Sequence, residues 1–131
     1  MKLFHKYKIP IYLSKDNLII TYVISNNKKL IALIDTGSNH SIINTTLAEE
    51  LCPINTKEFN ANMNTLLVSN SINTYTTLEL NFLINKNNYS NDFIMMNLHE
   101  FKNVTEPFDL ILGTDFLLKY KPLLSFKPIR K

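Results

Sequence analysis

An acid followed at once by a hydroxyl and a glycine, Asp35-Thr36-Gly37, closes the apolar stretch "ALI" at residues 32–34. A carboxylate at the end of a buried strand is costly unless it has partners. The Thr offers a hydroxyl, and the Gly lets another backbone come close. That combination suits an acid used in hydrolysis. A lone carboxylate is a poor tool for cleaving an amide, because one group must take a proton from water and another must donate one. Two carboxylates about 3 Å apart share a single proton and meet both needs. Asp16, Asp92 and Asp109 are followed by Asn17, Phe93 and Leu110, so none of them repeats the Thr-Gly context. A second copy of the chain, related by a two-fold axis, would supply the missing acid by setting Asp35 against Asp35.

The glycines point the same way. The 131 residues hold two, Gly37 after "LIDT" and Gly113 after "LIL", where average usage of about 7% would scatter several more through turns. The turns use Asn instead, which also tolerates positive φ. Both glycines are therefore expected where no Cβ fits.

The elements that must position these residues are mostly strands. "LIITYVIS" (18–25) is rich in β-branched residues, "NNKK" (26–29) reads as a turn, and "LIALID" (30–35) as a more buried strand. "INTTLAEEL" (43–51) changes period, with Leu47 and Leu51 four apart, a Thr46/Glu49 capping box, and Pro53 as the stop. "NTLLVS" (64–69) and "TYTTLELNFLI" (74–84) flank "NSIN" (70–73) as a hairpin, and Leu78, Leu80 and Phe82 alternate with Glu79, Asn81 and Leu83. After a "KNN" turn (86–88), "YSNDFIMMNL" (89–98) is another strand, with Met95 and Met96 expected one in and one out. "HEFKNVTEPF" (99–108) is a polar connection, and "DLILG" (109–113) is a short strand. "TDFLLKY" (114–120) is a helix capped by Thr114, with Asp115 at its positive end and Lys119 at its negative end. "LLSF" (123–126) is a last strand. The sum is a small all-β domain with one or two short helices.

Composition bounds the rest. The length fits one domain, and a 45% hydrophobic share supports a core. No window has the roughly 18 apolar residues of a membrane span, and residues 1–17 show no signal-peptide pattern. Cys52 is the one cysteine, so an internal disulfide is excluded and a reducing, intracellular setting is expected. It reads as a small buried hydrophobe. The net charge of +3 is mild, with lysines near both ends; a nucleic-acid face would need a denser basic stripe. His5, His40 and His99 lack ligand spacing, so no metal is expected.

"ALIDTGSNHSII" (32–43), followed much later by "FDLILGTDFLLKYKPLLSF" (108–126), resembles a retroviral-type aspartic protease, or retropepsin, in the style of gypsy-type LTR retrotransposons and plant pararetroviruses such as caulimoviruses. The resemblance covers roughly residues 18–126, with 1–17 as an N-terminal segment or linker and 127–131 as a basic tail. It implies a retropepsin-like closed β-barrel, the acid protease fold, active as a symmetric homodimer without cofactor. It implies an aspartic endopeptidase that processes a viral or retrotransposon polyprotein, the chain's own precursor, in the host cytoplasm or an assembling particle. No nucleic acid or membrane partner is implied. Activity is expected at acid to near-neutral pH.

Residue by residue, Asp35 resembles the catalytic aspartate. Thr36 resembles the hydroxyl that bonds across the dimer axis, Gly37 the position whose carbonyl serves the substrate backbone, and Ser38 the small residue beside the carboxylate. Gly113 resembles the glycine on which the final helix packs. "LLVSNSINTYTTL" (66–78) falls at the flap, with Ser69, Asn70 and Ser71 near its tip. These three, with Asn39, Asp109 and Ile111, are expected to bind substrate. Three positions depart from the pattern: the flap tip has no glycine, Thr114 replaces an Arg and its ion-pair brace, and Asn39 replaces an acid.

Plainer readings stand beside these. Asp35 could be a turn-forming acid, Asp115 a helix-start charge and Asp109 a strand-end surface acid. The competing function is a non-catalytic module of the same fold, kept for dimerisation or peptide binding.

Overall fold

The structure, a computed structural model, describes residues 6–51, 56–63, 71–98 and 108–128. Its strands are β1 (Lys8–Leu13), β2 (Ile19–Ser25), β3 (Lys28–Ile34), β4 (Ile42–Asn44), β5 (Thr56–Met63), β6 (Ser71–Ile84), β7 (Asn87–Met96), β8 (Leu110–Leu112) and β9 (Leu123–Phe126), with helices α1 (Thr45–Glu50) and α2 (Thr114–Tyr120). The sheet order is β5-β6-β7-β4-β8-β3-β2-β1-β9, and a further β6–β2 pairing closes β6, β7, β4, β8, β3 and β2 into a barrel of six strands.

Asparagine does the work of glycine in the turns. Ser25 pairs with Lys28 across Asn26 and Asn27, whose φ angles are 52° and 63°. Ile84 pairs with Asn87 across Asn85 and Lys86, at 49° and 74°. Two successive left-handed residues match the right-handed twist of a hairpin. Each turn is thus two residues long, shorter than the "NNKK" and "KNN" expected, and the freed residues extend the strands.

Several boundaries move. Residues 8–13, expected within an N-terminal segment or linker, form β1, which pairs in parallel with β9 and buries Ile9 and Ile11. The helix expected over 43–51 starts at Thr45 behind Asn44, with no side-chain cap. The Thr46/Glu49 capping box does not form its cap, because Ile42–Asn44 is taken into the sheet between β7 and β8. Gly113, not Thr114, is the N-cap residue of α2. The hairpin expected from 64–69 and 74–84 is made by β5 and β6, with Met63 opposite Ser71. Residues 64–69 lie outside the described residues.

The sheet is packed on both faces. Ala32, Ile34, Ile43, Leu110 and Leu112 point into the barrel core with Leu78, Leu80, Phe82 and Phe93. Their neighbours Leu33, Ile42, Ile94 and Ile111 form a second apolar cluster with Ile20, Leu98 and Phe108. Met95 packs on the first cluster and Met96 on the second, so neither simply faces out. Strands buried on both sides read as continuous apolar runs, which is why "LIALI" and "LIL" show no alternation. α2 is held by Phe116, fully buried, whose ring lies 5.8 Å from Phe82, 5.5 Å from Tyr89 and 5.3 Å from Tyr120.

Candidate active site

β3 delivers Asp35 to the mouth of this second cluster. The parallel β3–β8 ladder continues one residue past β3, where the Asp35 N–H donates to the Leu112 carbonyl at 3.0 Å. Alternation then sets Asp35 on the row of Leu33, the outward row, rather than that of Ile34. Asp35 is 3% exposed. Its Oδ1 accepts the Gly37 N–H at 2.9 Å, and its carbonyl accepts the Ser38 N–H at 3.1 Å. The loop therefore folds back and places a backbone donor on the carboxylate. That answers part of the cost of burying an acid. Thr36 and Gly37, at the loop tip, are exposed.

Gly113 sits where a side chain has no room. A Cβ there would lie 2.6 Å from the Ser38 carbonyl oxygen and 2.8 Å from that of His40. Neither glycine has a positive φ, so close approach, not conformation, sets the requirement at Gly113. The loop is tied to α2 at the same place. The Thr114 N–H and hydroxyl both donate to the Ser38 carbonyl, at 2.8 and 3.3 Å. The Ser38 hydroxyl donates to the His40 carbonyl at 2.6 Å.

Three residues that the sequence reading did not single out as a group complete the support. The buried Ser41 hydroxyl accepts the Gly113 N–H at 3.0 Å and donates to Asp115 Oδ1 at 2.7 Å. The buried Asn91 side chain donates to Asp115 Oδ2 at 3.0 Å. Asp115, read above as a helix-start charge, thus links α2 to both the loop and β7. Neutral donors, Ser41 and Asn91, thus hold the Asp115 carboxylate beside Thr114, the position at which the resemblance marks an Arg as replaced. A buried Ser six residues after the acid, with an Asp two after the second glycine, was the available signal.

The remaining expected residues divide. Ile111 pairs with Leu33 on one side and Ile42 on the other, within the apolar row that ends near Asp35. Asp109 lies at the other end of β8 from Gly113, and its Oδ2 accepts the Ile31 N–H at 2.8 Å. Asn39 is exposed beside Ser38. Ser71 is the first residue of β6. Ser69, Asn70, Cys52, His5 and His99 lie outside the described residues. No group of three or more His, Cys, Asp or Glu able to hold a metal occurs among the described residues. No helix among them is long and apolar enough to cross a membrane.

Solved structures share this fold. A retropepsin-like aspartic protease from Rickettsia conorii superposes with a TM-score of 0.55 at 19% identity, covering 83% of this chain and 76% of that one. The retroviral protease-like domain of Ddi1 from Leishmania major gives 0.51 at 17%, covering 79% and 76%. The simian foamy virus (mac) protease gives 0.50 at 15%, covering 79% and 99%. Comparison with curated proteins gives no match. The profile of the retroviral aspartyl protease family matches residues 11–128. With nearly the whole sequence matched, and with the strand-end acid and the buried glycine set in a shared fold, the chain belongs to the retroviral aspartyl protease family.

Proposed function

We propose that this chain is an aspartic endopeptidase that works as a symmetric homodimer, with Asp35 from each copy, and processes a viral or retrotransposon polyprotein that includes its own precursor. The observation that carries the reading is the placement of Asp35: an acid with a backbone donor on one oxygen, at the end of the apolar row of Leu33, Ile111 and Ile42. The exposed tip at Thr36 and Gly37 offers the second copy a surface beside that acid. Extended polypeptide laid across the Asp35 end of that row would be held by main-chain hydrogen bonds.

In the paired site one carboxylate is ionised and the other protonated. The ionised one takes a proton from water as the oxygen attacks the amide carbon. The protonated one gives its proton to the carbonyl oxygen. As the tetrahedral intermediate collapses, the C–N bond breaks, the carboxyl that took the water proton gives it to the leaving nitrogen, and the other carboxylate takes back a hydroxyl proton as the C=O bond re-forms. Ser38, Ser41, Asp115 and Gly113 act by holding the loop still. Ser69, Asn70, Ser71 and Asn39 are proposed to contact the substrate main chain.

Incubating the purified protein with its natural precursor, with and without pepstatin, tests the reading on a gel. Wild type should cut and be blocked by the inhibitor. Asp35→Asn should lose about 10³-fold or more in rate, in the range of a lost acid–base group. No cutting by wild type favours the non-catalytic module, and equal cutting by the two proteins rules out Asp35 as the catalytic acid.

A further inference from the structure

Outside the catalytic row lies a groove of about 960 Å³ walled by β1, β2 and residues 127–128. Tyr12 and Tyr22 form one wall, their rings 5.3 Å apart and tilted by 56°. Lys15, Lys29 and Lys127 reach it from three separate segments, and no carboxylate lines it among the described residues. Lys29 Nζ stands 4.5 Å from the centre of the Tyr22 ring. Lys28 next to it is paired with Glu50, but among the described residues none of the groove's three lysines meets a carboxylate. Three cations at one concavity, with no carboxylate partner among the described residues and on aromatic walls, set up a local positive field stronger than the net charge suggests.

The groove lies on the same face of the sheet as Asp35. Tyr12 pairs with Ile20, Ile20 with Leu33, and Leu33 with Ile111, so one row of side chains runs from the groove to the acid's own strand. Strand spacing of about 4.8 Å and a rise of about 3.3 Å per residue put Tyr12 on the order of 12 Å from Asp35, or three to four residues of extended peptide. A chain lying across the catalytic row would therefore carry its more distant residues past the lysines.

We infer that this tyrosine-walled basic groove is an exosite that takes an acidic segment of the polypeptide substrate, three or more residues from the bond that is cut. The inference rests on the protease reading for its purpose but not for its ligand. The groove's place on the face of the sheet that carries Asp35, within three to four residues of extended peptide, favours polypeptide over nucleic acid or lipid. Selection at the bond itself would be left to apolar contacts, with the charge acting on capture.

The test uses Asp35→Asn protein, so that binding is read without cleavage. Two labelled dodecapeptides share an apolar pair at the centre; one carries Asp-Glu-Asp near each end and the other Asn-Gln-Asn. By fluorescence anisotropy the acidic peptide should bind at least tenfold more tightly. That preference should vanish in Lys15→Gln/Lys29→Gln/Lys127→Gln, and in about 0.5 M salt, where the Debye length falls to a few ångström. Equal binding of the two peptides overturns the proposal, as does a preference that survives the triple substitution. So does tighter, lysine-dependent binding of a DNA duplex or of phosphatidylserine vesicles. Cleavage by otherwise wild-type protein separates the two readings. If both peptides are cut with equal kcat/KM, the exosite fails and the protease stands. If neither is cut while the lysines still select the acidic peptide, the protease reading fails and the acidic-peptide site stands.

Discussion

Single side chains at this site are placed by what they cannot avoid touching. Gly113 faces two carbonyl oxygens at distances no Cβ tolerates. Because both are backbone atoms, relief requires the Asp35 loop to move. Gly113→Ala should destabilise by about 3 kcal/mol, the upper end of overpacking costs, and reduce any peptidase activity more than stability alone explains; chemical denaturation alongside a rate assay checks both. Scarcity made Gly113 stand out in the sequence, but the atoms it meets came from residues 38 and 40, which no local pattern connects to residue 113. Tyr89 is a second single-residue case. Its hydroxyl is buried and has no hydrogen-bond partner among the described residues. Burial pushes its pKa above the ordinary 10.0. Folding therefore favours the neutral phenol: that contribution is intact below pH 10 and lost as pH rises from there towards the folded-state value. Tyr89→Phe should be neutral or stabilising at pH 7 and should unfold less readily above about pH 10, as thermal melts across that range would show.

At the level of elements, the Asp35 loop and α2 are tied into one piece. Asp115 accepts from Ser41 on the loop side and from Asn91 on β7, while Gly113 donates to Ser41. Ser41→Ala would strand a buried N–H and a carboxylate oxygen together. A loss of about 1–3 kcal/mol is expected, and backbone amide exchange at Gly113 and Thr114 should accelerate ahead of that in the barrel strands. An unchanged exchange pattern would show that the brace does not couple loop to helix. The span of α2 was legible from its end charges and its flanking Pro122, although Gly113 and not Thr114 is its N-cap residue. β1, β4 and β5 were not. "IIN" at 42–44 is too short to carry a period. "TKEFNANM" at 56–63 has few of the β-branched residues that mark a strand; it is a strand because β6 supplies its partner.

For the whole molecule, the proposed enzyme has half a catalytic centre per chain. Activity per milligram should therefore rise with protein concentration and then level off, and its midpoint should match the dimer dissociation constant from sedimentation. A rate strictly proportional to concentration down to nanomolar levels would argue for a monomeric site. The barrel also leaves an edge at β9, where Leu123 and Phe126 are 42% and 59% exposed.

The sequence by itself marked the acid that stands at a strand end, the scarce glycine at 113 that has to stay small, and the more buried character of the strands beside them. These are properties of residues adjacent in the chain, where side-chain period and steric size act directly. Only the tertiary structure decided what holds that acid. The closing β2–β6 pairing, the Ser41–Asp115–Asn91 brace and the basic groove join segments dozens of residues apart, and a polar side chain carries no mark of its distant partner until the fold brings the two within hydrogen-bonding reach.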